Sequence, residues 1–438
     1  MSWVAALILL MGLLFLLGVI GLPIAFVFFS VNIVGGAVFL GGGAGLVQMI
    51  RNSFDAVANF SLAPIPLFIL MGEVLFHTGV AFKAITAIER IIHRMPGRLS
   101  VVAVISGTLF SALSGSTIAN TALLGSSLMP EMLKRNYHPS MAMGPIMAVG
   151  GIAMLIPPSA LAVLLGSLSG ISIAKLLIGG IVPGLMMSGA FIAYILIRCA
   201  LDPKLAPIDE GPKEQGWARW RPFVVNVLPL SAIIFLVIGC MVLGWATPTE
   251  AAGLGSVASV IAAAAYGALT RQNLMRSLTE TAKISVMILF IIAASVTFSQ
   301  ILAFSGAVNG LLDQLGGLKS SPFLLVGVMV LILVVLGCLV DQVSMIMLTL
   351  PFFMPLAKAT GIDEIWLGVL MLISMELGLL TPPFGMLLFV MQGVMPKNFD
   401  LGHVYRAALP FVGLEALVLA ILFLFPKLAV WLPSIMTN

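Results

Sequence analysis

The stretch Gly378-Leu-Leu-Thr381-Pro382-Pro383-Phe384-Gly385 sits inside an apolar run of membrane-spanning length, yet it cannot continue as helix. Two adjacent prolines remove two backbone donors, and each ring clashes with the preceding turn. A helix broken at membrane depth bares carbonyl groups that protein, water or an ion must satisfy, so the break is a candidate ion site. A second break stands at Ile156-Pro157-Pro158-Ser159, 225 residues earlier. The same offset carries Met129-Pro130 onto Met354-Pro355, with 27 residues from each of these prolines to its proline pair. Two motifs at one common offset indicate a duplicated unit. Paired interruptions in corresponding halves are the sequence mark of a secondary transporter's binding site.

Composition places the duplication in a membrane. Of the 438 residues, 61% are hydrophobic and 9% charged, and the mean hydropathy is +1.18. Such a chain is an all-α polytopic membrane protein rather than a soluble domain. The first apolar stretch has no Lys or Arg before it and runs into a second, so no cleavable signal is expected. Cys199, Cys240 and Cys338 are isolated, as are the four histidines, which disfavours a disulfide frame or a zinc site. No GxxxxGK[ST] loop is present, which leaves ATP without its usual cradle. An intramembrane serine hydrolase is disfavoured too, since Ala112-Leu-Ser114-Gly115 lacks the first glycine of a nucleophile motif.

Taken in order, residues 1–80 read as scaffold spans, with a polar interruption around 41–53. Residues 81–98 form an interfacial arm helix in which Lys83, Arg90, His93, Arg94 and Arg98 alternate with isoleucines. Residues 99–177 hold a first re-entrant hairpin, its tip at Ser114-Gly115-Ser116-Thr117, and the first broken helix. Scaffold spans occupy 178–305 around a polar loop at 202–221. A second arm covers 306–321. Residues 322–400 hold the second hairpin, with its tip at Cys338-Leu-Val-Asp341-Gln342, and the second broken helix. A last span fills 401–438. Each unit has an odd number of full crossings once its hairpin counts as none, so the two copies must be inverted. Charge gives an independent test. With both termini outside, only Arg51, Lys175, Lys319, Lys358 and Lys427 of the 21 Lys and Arg residues fall outside, and the other 16 are cytoplasmic.

A hard cation needs oxygen ligands, and broken helices facing hairpin tips supply them as carbonyls. A small hard cation is the expected occupant of the breaks. Its candidate ligands are Ser111, Ser114, Ser116, Ala153, Ile156 and Ser159 in the first unit, and Gly337, Asp341, Gly378, Thr381 and Phe384 in the second. Asp341 either balances the ion or holds the tip by bonding to nearby N–H groups. Hairpin tips and helix N-termini also attract anions. A carboxylate-bearing substrate is therefore expected among Ser116, Asn120, Pro158, Ser344 and Pro383. Glu73 and Glu376 are further deep acids. The bland reading is that the proline pairs merely kink helices for packing.

Ser114-Gly115-Ser116, Met129-Pro130-Glu-Met132, Ile156-Pro157-Pro158-Ser159, Ile181-Val-Pro183-Gly184, Thr247-Pro248-Thr249-Glu250-Ala251 and Thr381-Pro382-Pro383-Phe384-Gly385 occur in order. With them the chain resembles the large membrane subunit, or DctM-like component, of tripartite ATP-independent periplasmic (TRAP) transporters. The resemblance implies sodium-driven elevator transport of organic acids across the bacterial inner membrane, with sodium sites at the two breaks. It also implies two partners, a small four-helix membrane subunit on a separate chain and a periplasmic substrate-binding protein. Family members often carry valine at Phe384, asparagine at Leu387 and Tyr-Gly at Leu165-Gly166, so the resemblance does not carry a substrate. The rival expectation is a sodium/dicarboxylate symporter of the same architecture that needs no binding protein.

Overall fold

The computed structural model describes residues 1–92, 95–207, 216–314, 321–396 and 399–436, with backbone alone at 113, 114, 312 and 313. The described residues form helices and no strand. Apolar helices α1 (Trp3–Val19) and α2 (Ile24–Phe39) pack as a pair. Next comes α3 (Gly43–Val57), where a polar interruption was expected. Its hydropathy is low because one face is polar and bonded: Asn52 donates to Gln300 Oε1 at 2.6 Å and the Ser53 hydroxyl to the Ala293 carbonyl at 3.1 Å. A search for spans passes over such a helix, whose stability comes from tertiary bonds.

Helices α4 (Pro64–His77) and α5 (Val80–Ile91) meet at Gly79, whose φ of +69° favours glycine. The expected arm is thus shorter than 81–98, while His93 and Arg94 lie outside the described residues. Arg98 does not belong to a solvated arm face. It opens the next helix, is 1% exposed, and pairs with Glu89 at 3.0 Å.

The first unit runs through α6 (Arg98–Ser114), α7 (Thr117–Lys134), α8 (Pro139–Gly151), a 3-10 turn at Ile152–Met154 and α9 (Ala160–Ser169). Then follow α10 (Ile173–Gly179), α11 (Ile181–Leu201), α12 (Trp217–Asn226), α13 (Leu228–Val242) and α14 (Pro248–Ala265). The expected loop 202–221 therefore contains the start of a helix, and α12 packs along α5. The 34-residue α15 (Arg271–Phe304) is about 51 Å long at the usual rise. It outruns a hydrocarbon core and carries Arg271, Arg276 and Lys283 on its overhanging N-terminal part. A short α16 (Ala307–Gln314) precedes the second unit, and residues 315–320 of the second arm lie outside the described residues. That unit comprises α17 (Pro322–Gly337), α18 (Gln342–Thr360), α19 (Glu364–Leu380) and α20 (Met386–Val394), followed by α21 (Leu401–Leu424) and α22 (Lys427–Ser434).

Among the described helices five are long and apolar enough to cross a membrane, and α12 with α13 make a sixth, bent by 40°. The packing forms two sets. Helix α15 holds α2, α3 and α4, and α14 joins α4 and α13. Helix α8 is wrapped by α6, α7 and α21, while α19 is wrapped by α17, α18, α20 and α21. All residues of α19 from Trp366 to Leu380 are buried, as are those of α8 from Met141 to Gly151. A helix buried all round has no amphipathic stripe, and these two form the core against which both hairpins are laid.

Candidate functional site

The first tip forms because Gly115 takes a left-handed φ of +57°, which closes α6 with an N–H bond to the Ser111 carbonyl at 3.1 Å. Ser116 then caps α7, accepting the Ala119 N–H at 3.3 Å. Across the hairpin, the Asn120 side chain donates to the Gly107 carbonyl at 3.1 Å and to Ser111 Oγ at 2.8 Å, tying α7 back to α6. Asn120 thus holds the hairpin closed, while its Oδ1 is buried with no partner among the described residues. A Cβ on Gly115 would lie 3.3 Å from the Pro158 carbonyl oxygen, so this tip rests on the first break.

At that break α8 tightens into its 3-10 turn, the Pro157–Pro158 bond is cis, and Ser159 caps α9 by accepting the Ala162 N–H at 3.2 Å. Pro157 cannot donate to the carbonyl four residues back, which is that of Ala153. In the second unit Pro382 deprives Gly378 in the same way. The Thr381 N–H turns to the Gly378 carbonyl at 3.1 Å, and the Thr381 hydroxyl donates to the Leu377 carbonyl at 2.5 Å. A hydroxyl that spends its proton this way keeps its lone pairs for a cation.

Gly337 and Gly378 touch backbone to backbone. A Cβ on Gly337 would stand 2.6 Å from the Gly378 Cα. Their counterparts at the 225 offset are Ala112 and Ala153, both buried and small. The first tip and first break thus meet at Gly115 and Pro158, and the second at Gly337 and Gly378. The Ser114 side chain lies outside the described residues.

Asp341 caps α18: its carboxylate accepts the N–H groups of Val343 at 3.0 Å and Ser344 at 3.1 Å, and the Ser344 hydroxyl. Ser344 is buried within that cap. The two breaks differ in access. Residues 151 to 160 are all buried, whereas Pro383 is exposed and Phe384 is 59% exposed. The Pro383 carbonyl accepts the Tyr405 hydroxyl at 2.6 Å.

Glu376, noted in the sequence without a role, lies where the two units meet. Its Oε1 accepts the Thr117 hydroxyl at 3.1 Å and the Gln342 amide at 3.4 Å, and that amide also reaches Thr117 Oγ1 at 3.4 Å. Thr117 and Gln342 are the first helical residues after the two tips and are themselves 225 apart. The position matching Glu376 is Gly151, and the carboxylate packs so closely there that any Cβ on Gly151 would collide with it. The sequence signal was available, an acid in one repeat facing a glycine in the other, but the meeting of the tips requires the fold. Glu73 is bonded elsewhere, pairing with His77 at 3.1 Å on α4.

The sequence profile of the family described as "Tripartite ATP-independent periplasmic transporter, DctM component" matches residues 11–428. A putative TRAP transporter large permease protein of Haemophilus influenzae is 32% identical over 87% of this chain and 94% of its own length. The C4-dicarboxylate TRAP transporter large permease protein of Pseudomonas aeruginosa is 30% identical, covering 87% of this chain and 88% of its own. Among solved structures, the Alcanivorax borkumensis YdaH transporter superposes with a TM-score of 0.62 at 15% identity, over 93% of this chain and 96% of that one. At that identity the likeness concerns the fold.

Proposed function

Because the chain belongs to the DctM component family of tripartite ATP-independent periplasmic transporters, we propose that it carries an organic acid across the bacterial inner membrane by sodium-coupled secondary transport. It works with a separate small membrane subunit and a periplasmic binding protein, and both of its termini face the periplasm. Sodium binds at the two junctions just described, on the carbonyls of Ala153 and Ile156 with the hydroxyls around Ser116 and Ser159, and on the carbonyls of Gly337, Gly378 and Phe384 with the Thr381 hydroxyl and the Asp341 end of the tip. The substrate's carboxylate sits between the tips and the helix N-termini near Ser116, Pro158, Ser344 and Pro383.

The observation that carries this reading is the contact of both tips on one buried carboxylate, Thr117 and Gln342 on Glu376. It binds hairpins and breaks from both repeats into one body, so neither site has to come apart as the body moves. The outer faces of the hairpins support an elevator. Helix α6 borders an apolar cavity of about 450 Å³ against Ile88 of α5 and Phe223 of α12. Helix α17 borders one of about 580 Å³ against Leu7 and Met11 of α1. The packing along these seams is mainly apolar, and the bonds that do cross from α6, Arg98 to Glu89 of α5 at 3.0 Å and the Thr108 hydroxyl to that of Ser188 on α11 at 2.8 Å, must move with the body or break as it slides.

The test is uptake into liposomes holding the complete complex, with C4-dicarboxylates first among a panel of organic acids. Uptake should collapse when sodium is replaced. Undiminished uptake on a proton gradient alone would overturn the coupling. Equal uptake without the binding protein would favour the two-component symporter.

A further inference from the structure

We propose that the pocket between α5 and α12 binds the headgroup of an anionic phospholipid. A cavity of about 580 Å³ there is lined by Lys83, Arg90 and Arg221 together with apolar residues including Pro222 and Val225, and no described lining residue is acidic. The pocket is built rather than incidental. Arg219 donates to the Ile91 carbonyl and fixes α12 to the end of α5, and the Tyr266 hydroxyl donates to the Val225 carbonyl from α14. The Lys83 ammonium lies 5.5 Å from the Tyr266 ring centroid, which holds its charge at the pocket.

Two further observations set the depth and the ligand. Trp217 and Trp220 on α12 are 65% and 48% exposed, and exposed indole rings mark the membrane–water boundary. Below them Val225, Leu228 and Phe235 present an exposed apolar track along α12 and α13 on which acyl chains can lie. A phosphodiester with one net negative charge matches a ring of Lys and Arg, whereas a zwitterionic headgroup brings a cation of its own into that ring. The inner leaflet, which the charge bias makes the pocket's side, supplies such lipids. This proposal stands apart from the transport mechanism and needs no substrate.

Native mass spectrometry of the purified full chain tests it, with phosphatidylglycerol, phosphatidylcholine and glycerol 3-phosphate as probes. Phosphatidylglycerol should be retained over phosphatidylcholine, and glycerol 3-phosphate should not be retained. Lys83→Gln/Arg221→Gln should weaken phosphatidylglycerol binding roughly twenty-five-fold, at about fivefold per charge removed, while Arg51→Gln/Lys358→Gln should leave it unchanged. Equal retention of the two lipids, full retention by the pocket variant, or glycerol 3-phosphate binding as tightly as the lipid would each overturn the proposal. Should the pocket variant fail to fold, wild-type binding decides, since it must weaken as salt is raised; binding indifferent to salt contradicts the site.

Discussion

Replacing Gly378 by alanine places a methyl group where the structure has backbone. The new Cβ would lie 2.5 Å from the Gly337 Cα, 3.0 Å from its carbonyl carbon and 3.3 Å from its nitrogen. None of these atoms can swing aside as a side chain would. Carbon contacts settle near 3.5 to 4.0 Å, so α17 and α19 must part by about 1 Å. Overpacking of this kind costs about 1–3 kcal/mol. The same shift moves two carbonyls proposed as sodium ligands, and a tenfold loss of sodium affinity would remove about 1.4 kcal/mol of the stabilisation that saturating sodium confers. Thermal melts of the purified chain in sodium chloride and in choline chloride at equal ionic strength read both effects. Gly378→Ala should melt lower in choline and gain less from sodium than wild type does. Gly337→Ala should behave alike, and the double variant should cost less than the two singles together, because helices already parted admit the second methyl. Wild-type melting and an undiminished sodium response in Gly378→Ala would refute the reasoning.

Thr381→Ala removes one hydroxyl but no carbonyl, so it should raise the sodium concentration for half-maximal uptake with little change in melting; an unchanged sodium dependence removes Thr381 from the site. Glu376→Ala leaves the Thr117 hydroxyl and the Gln342 amide without their shared acceptor, a loss of about 1–3 kcal/mol, and Gly151→Ala should destabilise through collision with the same carboxylate. Chemical denaturation measures both, and wild-type stability in either would separate Glu376 from the joining of the repeats. Arg98→Ala takes the buried guanidinium away from the half-buried Glu89 and should cost about 1–3 kcal/mol, with Arg135, 3.4 Å from Glu89, holding the loss toward the lower end. A cost under about 1 kcal/mol in the same assay would return Arg98 to the solvated arm face.

The repeats were legible because proline leaves a mark that no apolar background hides, and the offset between Pro157 and Pro382 aligned everything else, including Ser116 and Asp341, which both prove to be helix caps. Helices α3 and α12 were not legible as helices. Both are short and polar on one side, and what holds them is contact with α15 and α5, which no local pattern encodes. By sequence alone Arg98 reads as the end of the arm, because a basic residue beside Gly97 looks the same at the end of an arm and at the start of a hairpin; the φ of +64° at Gly97 separates the two. Glu376 stood out as a costly deep acid, yet its partners Thr117 and Gln342 come from distant parts of the chain and meet only when both hairpins close on α8 and α19.

Movement of the second tip across the membrane is the most direct test of the elevator. Leu339, 62% exposed at that tip, is replaced by cysteine in a chain whose Cys199, Cys240 and Cys338 have been substituted. The complex is then labelled from either side with a membrane-impermeant maleimide, with sodium gradients driving the transporter inward or outward. The label should reach the tip from one side in one condition and from the opposite side in the other. Labelling from the outside alone, in every condition that supports transport, contradicts an elevator and leaves a fixed site with moving gates.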